Sequence, residues 1–339
     1  MAHIPLKDAR QEALPDLAAL SRRRRLTQLA IKWGPLITLI VLCVGIAILN
    51  PRFLTVRNFQ AIAKQTSILL ILAMGSCFVI LMGCIDLSIE GIMAISSVIV
   101  SFLILNNRTE LDWGLLGMLI AVAASTFMGF ANGVIHTKAR IPSFMATLGM
   151  LSIGTGLATW LYGGYAIRIL DPVLSEWAKG YIFGIPRLAV VAAVLFVFGI
   201  FIEKYTRLGR YAFAIGGGED LAQLSGIPVD RYKIIIFTLA GFFYGVGGVL
   251  NAARIGAGTA RVGEYLFMSI TAVVVGGTAL TGGVGGIIQA LIGALIVTVI
   301  TNGMILLDVH DYIQMTVHGV IVTVAVILTL DRAKIPVIK

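Results

Sequence analysis

Charged residues are scarce in this sequence. They make up 13% of its 339 residues, whereas an average soluble domain has about 25%. Hydrophobic residues make up 58%, and the mean hydropathy is +0.96. A chain with so few charges lacks the polar surface of a soluble protein, so the composition predicts an all-α polytopic protein embedded in a lipid bilayer.

Cysteine is also rare, and several sequence motifs of enzymes are absent. Cys43, Cys77 and Cys84 lie in apolar segments without Cys-x-x-Cys spacing, which predicts small core residues rather than disulfides or metal ligands. The sequence has no G-x-x-x-x-G-K-[ST], H-E-x-x-H or G-x-S-x-G motif. We therefore expect no enzyme activity, no metal and no cofactor on this chain, and no nucleotide hydrolysis of its own.

The excess of basic residues has a simple explanation in topology. The net charge of +9 could indicate nucleic acid, but the basic residues lie in loops without an aromatic-basic recognition pattern, so we expect no nucleic-acid partner. Residues 1–30 form a polar tail that ends near four consecutive arginines, Arg22 to Arg25. The apolar run that follows is long for a secretory signal and has no small-residue cleavage site. We predict a cytoplasmic tail over residues 1–30 and a transmembrane domain over residues 31–339.

Ten apolar segments approach the length of about 20 residues that one crossing of a bilayer requires. The third, sixth and eighth are short, so we expect some segments to be tilted, broken or re-entrant. The ten cover residues 31–49, 66–85, 91–105, 113–135, 144–161, 188–202, 234–253, 266–281, 284–305 and 312–330.

The distribution of Lys and Arg orients these segments. With the N-terminus inside, 17 of the 26 basic residues lie on the inner side and nine on the outer side. Cytoplasmic loops carry such an excess. The count predicts that both termini, and the polar run over residues 203–233, are cytoplasmic.

A short helix is predicted within that polar run. Three glycines, Gly216 to Gly218, are followed by Glu219 and Asp220, which favour the positive end of a helix dipole. Gly226 and the proline two residues later stop the helix, so it covers residues 219–225. It is either one turn of a solvated loop or a docking helix for a soluble partner, whose small residues Ala222, Ser225 and Gly226 would permit close approach.

The longest outer loop, over residues 162–187, carries aromatic residues among charges. They include Tyr165, Trp177, Tyr181 and Phe183. Aromatic residues at this depth form an interfacial belt, or they serve as a docking surface for an extracytoplasmic partner.

Two carboxylates lie unusually close to the membrane interior, in residues 83–91. Asp86 and Ser88 are good helix-capping residues, so this stretch predicts a helix break whose free amides are capped by side chains. A broken helix can also line a solute path, with Asp86 as an acceptor there. Glu90 follows within the same segment.

Six glycines in eleven residues, over residues 276–286, cannot form a plain helix. Without a lysine they form no phosphate-binding loop. They predict a tight re-entrant turn whose backbone groups are buried in protein or face a cavity. Other polar residues at membrane depth, such as Asn132, Asn251 and His318, are expected mainly to bridge helices, with a minority contacting solute.

Together these motifs resemble the ribose-type permeases of bacterial ABC importers. That family's Gly-Gly-Ile-Asp-Leu-Ser-Val-Gly stretch corresponds to residues 83–90, with Cys84 and Glu90 in place of glycines. The family's acidic Glu-Leu-Asp is here Leu266-Phe267-Met268. Further matches, within a resemblance that spans residues 50–330, are Asn132-Gly133, Ile141-Pro142, residues 147–149, Gly209-Arg210, residues 214–217, 225–227, 276–280 and 282–285.

The resemblance implies a permease of a bacterial inner membrane that pairs with a second permease copy or a paralogue. Such a permease takes a sugar or sugar-like solute from a periplasmic binding protein, and cytoplasmic ATPase subunits that use ATP grip its short helix. Asp86, Ser88 and Asn132 are then candidates for the translocation path. The candidate surface for coupling to the ATPase consists of Arg210, Glu219, Asp220, Leu221, Leu224 and Gly226.

Other functions remain open from the residues alone. A secondary transporter would use Asp86 and Glu90 to carry protons or cations along a gradient, although it has no need of the short helix. A permease for amino acids or nucleosides and a nonenzymatic scaffold are further alternatives. The sequence leaves open which pentose, hexose, polyol or other solute is carried.

Overall fold

The computed structural model of the chain describes residues 17–329, which form a helical bundle and confirm the all-α fold class. Four strands of two residues each occur in loops. The helices are α1 (Leu17–Leu49), α2 (Val56–Leu81), α3 (Ile89–Leu103), α4 (Gly114–Lys138), α5 (Ser143–Tyr162), α6 (Pro172–Lys179), α7 (Arg187–Tyr205), α8 (Arg207–Gly217), α9 (Glu219–Leu224), α10 (Val229–Ile255), α11 (Tyr265–Val275), α12 (Ile287–Leu306) and α13 (Asp311–Thr329). The strands are β1 (Ile167–Arg168), β2 (Tyr181–Ile182), β3 (Ile185–Pro186) and β4 (Ala257–Gly258).

Each of the ten predicted spans falls on a helix of this bundle. By length and composition, α2, α4, α5, α7, α10 and α12 can cross a membrane, and Trp33–Leu49, α3 and α11 are shorter apolar helices. Helix α1 begins at Leu17, so residues 17–30 of the predicted tail are helical, whereas residues 1–16 lie outside the described residues. The division into tail and transmembrane domain, and the number of spans that cross, stay predictions.

Two of the three short spans are short in the structure as well. Helix α3 has 15 residues and α11 has 11, and a helix rises only 1.5 Å per residue, so neither covers a hydrocarbon core of about 30 Å. The sixth span was also expected to be short, and this was wrong. Helix α7 has 19 residues because the charged residues Glu203 and Lys204, which end its apolar run, continue the helix.

Helix α2 lies at the centre of the bundle. Its residues from Thr66 to Leu81 are all buried, and it packs against α7, α10, α11 and α12. A helix that is surrounded by protein needs no polar face, which is why α2 is apolar around its whole circumference. Any feature at the end of α2 is therefore held by several helices at once.

The long loop between α5 and α7 has more structure than the sequence indicated. It forms β1, which pairs with β4, then α6, and then a hairpin in which Tyr181 pairs with Pro186. Phe183, at the tip of this hairpin, is fully exposed. The aromatic side chains thus sit on a folded cap at one end of the bundle.

Candidate functional site: a short exposed helix, a glycine junction and a broken helix

Helix α9 confirms the predicted short helix to within one residue. Gly218 precedes it, and its C-terminus is closed by two backbone bonds, from Ile227 to Ala222 O (3.1 Å) and from Gly226 to Gln223 O (2.9 Å). This pair of bonds defines a Schellman cap. Gly226 has φ of +80°, the left-handed conformation that the cap requires. The chain then turns sharply into α10.

All six residues predicted for the coupling surface are exposed: Arg210, Glu219, Asp220, Leu221, Leu224 and Gly226. Leu221 is 69% exposed and Leu224 is 84% exposed, which is unusual for leucines on so short a polar segment. The expected small-residue face was wrong in one respect, because Ala222 is buried against the bundle. The surface that α9 presents is therefore made by leucines and carboxylates.

An ion pair fixes α9 to the rest of the chain. Both carboxylate oxygens of Glu219 accept hydrogen bonds of 2.7 Å from Nζ of Lys233, a buried residue in the second turn of α10. A cavity of about 650 Å³ lies beside this pair, and an ion pair of 3.8 Å between Lys138 and Asp230 crosses its wall. Helix α9 is thus anchored to α10 while its outer face is free for a partner.

The helix break between α2 and α3 is present as predicted. Helix α2 ends at Leu81 and α3 begins at Ile89, and side chains of α5 cap the backbone between them. The amide of Ile85 donates to Ser143 Oγ (3.0 Å) and that of Leu87 donates to Thr147 Oγ1 (2.9 Å). The capping residues on α5 are far away in the chain.

Asp86, Ser88 and Asn132 form one buried hydrogen-bonded cluster. Asp86 Oδ1 accepts bonds from the amide of Ser88 (2.8 Å) and from its hydroxyl (2.5 Å), and Asn132 Nδ2 donates to Ser88 Oγ (2.8 Å). All three side chains are buried, and the Oδ1 atom of Asn132 has no partner among the described residues. Asp86 thus caps a free amide at the break, as expected. The same expectation was wrong for Ser88, whose side chain makes no capping bond to α3.

The three glycine-containing motifs meet at one point, which we call the glycine junction and which consists of Gly83, Gly216, Gly282 and Gly283. A β-carbon on Gly282 would lie 2.6 Å from the amide nitrogen of Gly83 and 2.8 Å from Cα of Gly216. The amide of Gly283 donates to Leu81 O at 2.9 Å. The end of α2, the end of α8 and the re-entrant loop are therefore in direct backbone contact.

Comparisons with known proteins identify the family of this chain. The family model described as the permease component of the branched-chain amino acid transport system matches residues 58–329, four fifths of the chain. The chain belongs to this permease family. The predicted resemblance is confirmed, and the protein is a multi-pass membrane protein of the transport class.

Curated relatives cover most of this permease. It is 36% identical over 306 residues to the ribose import permease RbsC of Bacillus subtilis, a match that covers 89% of this chain and 93% of the relative. It is 34% identical to the probable ABC transporter permease YphD of Escherichia coli, covering 93% and 94%, and 34% identical to the L-arabinose permease AraH of Escherichia coli, covering 89% and 91%. No solved structure matches the chain.

The structure keeps the two predicted sets of site residues of the permease apart. Among residues 17–329, no hydrogen bond or ion pair joins the coupling surface on α8 and α9 to the cluster around Asp86. The glycine junction connects them instead. In the sequence, the only signal for this junction is that three glycine-containing stretches each lie at a polar end of a predicted helix.

Two carboxylates have structural functions that sequence reasoning missed. Glu203, at the end of α7, accepts a bond from the amide of Ile287 at the start of α12. Glu90 accepts a bond of 2.9 Å from the amide of Leu266 at the start of α11. Both cap a helix that begins far along the chain, where a carboxylate is favoured by the free amides and the helix dipole.

Proposed function

We propose that the permease is the transmembrane subunit of an ABC importer for a sugar or sugar-like solute, a pentose, hexose or polyol. The relatives named for ribose and L-arabinose import support the substrate class. The observation that carries the coupling mechanism is the exposed helix α9, which stands next to the glycine junction and hence next to the broken helix. A gradient-driven carrier has no use for such a helix.

Each end of the bundle binds a different partner. Separate cytoplasmic ATPase subunits bind α9 through Leu221, Leu224, Asp220 and the neighbouring Arg210. These subunits, and not the permease, bind the ATP. A periplasmic binding protein delivers the solute to the opposite end, where α6 and the hairpin with Phe183 lie. A second permease copy or a paralogue completes the pore. Both termini face the cytoplasm of a bacterium, and the membrane is the inner one.

The glycine junction transmits the movement of the ATPases. When the ATPases close, they push α9, and the ion pair of Glu219 with Lys233 passes the displacement to α10. The end of α8 presses on the end of α2 at the junction, where there are no side chains to absorb the displacement. Asp86, Ser88 and Asn132 are buried just beyond this point, so we assign them to the translocation path.

Uptake into proteoliposomes tests the proposal. The permease is reconstituted with the ATPase and binding protein encoded with it, and radiolabelled D-ribose, L-arabinose, D-galactose and myo-inositol are offered. We expect uptake of at least one of these solutes that requires ATP and the binding protein and is insensitive to proton and cation ionophores. Uptake that needs no ATPase and collapses with an ionophore would instead establish a secondary transporter.

A further inference from the structure

The turn between β2 and β3 contains a residue type that its backbone conformation disfavours. Ile182 pairs with Ile185, so the loop of this hairpin consists of Phe183 and Gly184, whose φ angles are +50° and +80°. Two consecutive residues with positive φ form a type I′ turn, which prefers Asn-Gly, Asp-Gly or Gly-Gly. A bulky residue in this conformation is strained, and such strain is a reason to look for a function at that residue.

The side chain of Phe183 does not compensate for this strain by packing inside the protein. It is fully exposed, and Tyr181, Ile182 and Ile185 beside it are exposed as well. An aromatic side chain stabilises a structure mainly by removing its apolar surface from water. The tip of the hairpin is therefore an apolar surface that something outside the described chain covers.

The hairpin is held at the level where two membrane helices begin. Gln60 Nε2 donates to Gly184 O (2.9 Å) and Lys64 Nζ donates to the hydroxyl of Tyr181 (3.0 Å), so the hairpin lies against the first turns of α2. Pro186 of β3 directly precedes α7. The glycine junction lies at the other end of α2, so the hairpin is at the end of the bundle away from α9.

The exposed side chains around this level are apolar. Leu54, Val56 and Phe59, at the start of α2, are 63%, 73% and 48% exposed. Val194 and Val197 are exposed on α7, the helix that follows the hairpin. A large exposed apolar surface on a multi-pass protein is a surface that contacts lipid. The bilayer therefore extends to the first turn of α2, which is also the level of the hairpin.

Aromatic and basic side chains are paired around the hairpin. Nζ of Lys64 lies 4.5 Å from the centre of the Tyr181 ring, and the guanidinium of Arg187 lies 5.8 Å from that of Trp177. Tyr, Trp and long basic side chains are enriched in the lipid headgroup layer, because their apolar parts contact acyl chains while their polar ends stay among headgroups and water. This chemistry favours the bilayer over a soluble protein as the partner of the hairpin.

We propose that the tip of the β2–β3 hairpin inserts into the headgroup layer of the leaflet opposite to α9 and anchors the folded cap to the bilayer. Phe183 places its ring at the boundary with the acyl chains, while Tyr181 and Lys64 remain in the polar layer. This inference goes beyond the proposed function, because such an anchor does not depend on the solute or on its energy source. A binding protein docks at the same end of the bundle but not on this tip.

Electron paramagnetic resonance on the full-length permease in phosphatidylcholine nanodiscs tests the anchor. The chain carries Cys43→Ala, Cys77→Ala and Cys84→Ala, which remove its three free cysteines, and a nitroxide is attached to Phe183→Cys. The collision rate of the nitroxide with oxygen, which dissolves in the bilayer, is compared with its collision rate with a nickel chelate, which stays in water. The ratio of the two rates rises with depth in the bilayer.

Two further labelled positions calibrate the ratio. Glu110→Cys lies in the exposed loop between α3 and α4 and reports water, and Val197→Cys on the exposed face of α7 reports hydrocarbon. We expect the ratio at residue 183 to be several-fold above that at residue 110. A ratio equal to that at residue 110 would overturn the proposal. If the label at residue 183 prevents folding, Ile185→Cys in the same hairpin gives the reading, and the same two outcomes decide.

The binding protein encoded with the permease distinguishes lipid from a protein partner. We expect its addition to leave both collision rates at residue 183 unchanged. A ratio equal to the water reference that is followed by a fall of both rates on addition would make the hairpin a docking surface for that protein and would overturn the lipid anchor. Neither outcome decides the importer proposal, which depends on ATP-dependent uptake in proteoliposomes.

Discussion

At Gly216 the glycine junction has no room for a methyl group. A β-carbon there would overlap the carbonyl oxygen of Leu81 and lie 2.5 Å from the amide nitrogen of Gly283, and neither backbone atom can give way easily. We expect Gly216→Ala to destabilise the permease by about 1–3 kcal/mol and to abolish ATP-dependent uptake. The measurements are melting in detergent and uptake in proteoliposomes.

The neighbouring glycine supplies the control for this experiment. A β-carbon on Gly217 would meet no atom within 4 Å, so Gly217→Ala should melt and transport like the parent permease. Equal behaviour of the two variants would show that close contact at the junction is not needed for coupling.

Asp86 combines a structural function with the proposed function in the path. Asp86→Asn keeps an oxygen that can accept the bonds from Ser88 but removes the charge, whereas Asp86→Ala also removes the acceptor. We expect Asp86→Asn to insert, to bind the ATPase normally and to transport more slowly, and Asp86→Ala to lose about 1–3 kcal/mol of stability in addition. Normal transport by Asp86→Asn would remove the carboxylate from the path and leave it only its capping function.

Some of these residues were predictable from sequence and others were not. Asp86 is a residue type that caps helices, and it interrupts an apolar stretch, so its function at a break could be predicted. Thr147 has no such local signal, because it reaches the break from α5. A contact between residues distant in the chain depends on the packing of the helices, which a single sequence does not display.

At the scale of the element, Gly226 determines how α9 ends. A β-branched residue with φ near +80° costs about 1–2 kcal/mol, whereas asparagine tolerates this conformation. We expect Gly226→Val to insert normally but to uncouple ATP hydrolysis from uptake, and Gly226→Asn to retain both. Normal coupled uptake by Gly226→Val would count against α9 as the docking helix.

The ion pair between Glu219 and Lys233 positions α9 on α10. Glu219→Gln leaves the buried ammonium of Lys233 without its charge partner, so we expect a loss of about 1–3 kcal/mol and less ATPase recovered with the permease. Adding Lys233→Met to that variant should restore most of the stability, because the unpaired charge is gone. If the double variant melts no higher than Glu219→Gln alone, the pair has no anchoring function.

The elements themselves were predictable to different degrees. Apolar runs and the glycines of residues 216–218 predicted α9 and a helix at each span, because these signals are local. The extra length of α7 was missed because its polar end residues lie outside the apolar run. The hairpin with Phe183 was missed because its strands have only two residues each, too few for an alternating pattern.

At the scale of the whole molecule, α10 runs from the coupling surface to a cavity at the opposite end of the bundle. Helix α9 and its ion pair stand at the first turns of α10, and the cavity with Arg254 stands at its last turn. The buried helix α2 joins both regions, since Gln65 borders the cavity and Leu81 touches the glycine junction. Helices α2 and α10 therefore connect the two ends of the bundle.

The most direct test of the account is recovery of the ATPase with the permease. The tagged chain is purified from its host membranes in mild detergent, and the bound proteins are identified by mass spectrometry. We predict that an importer-type ATPase is recovered with the parent chain and is lost when residues 219–225 are scrambled in a variant that still melts cooperatively. Recovery of the ATPase with the scrambled variant, or its absence from the parent under conditions that keep a known importer intact, would contradict the account.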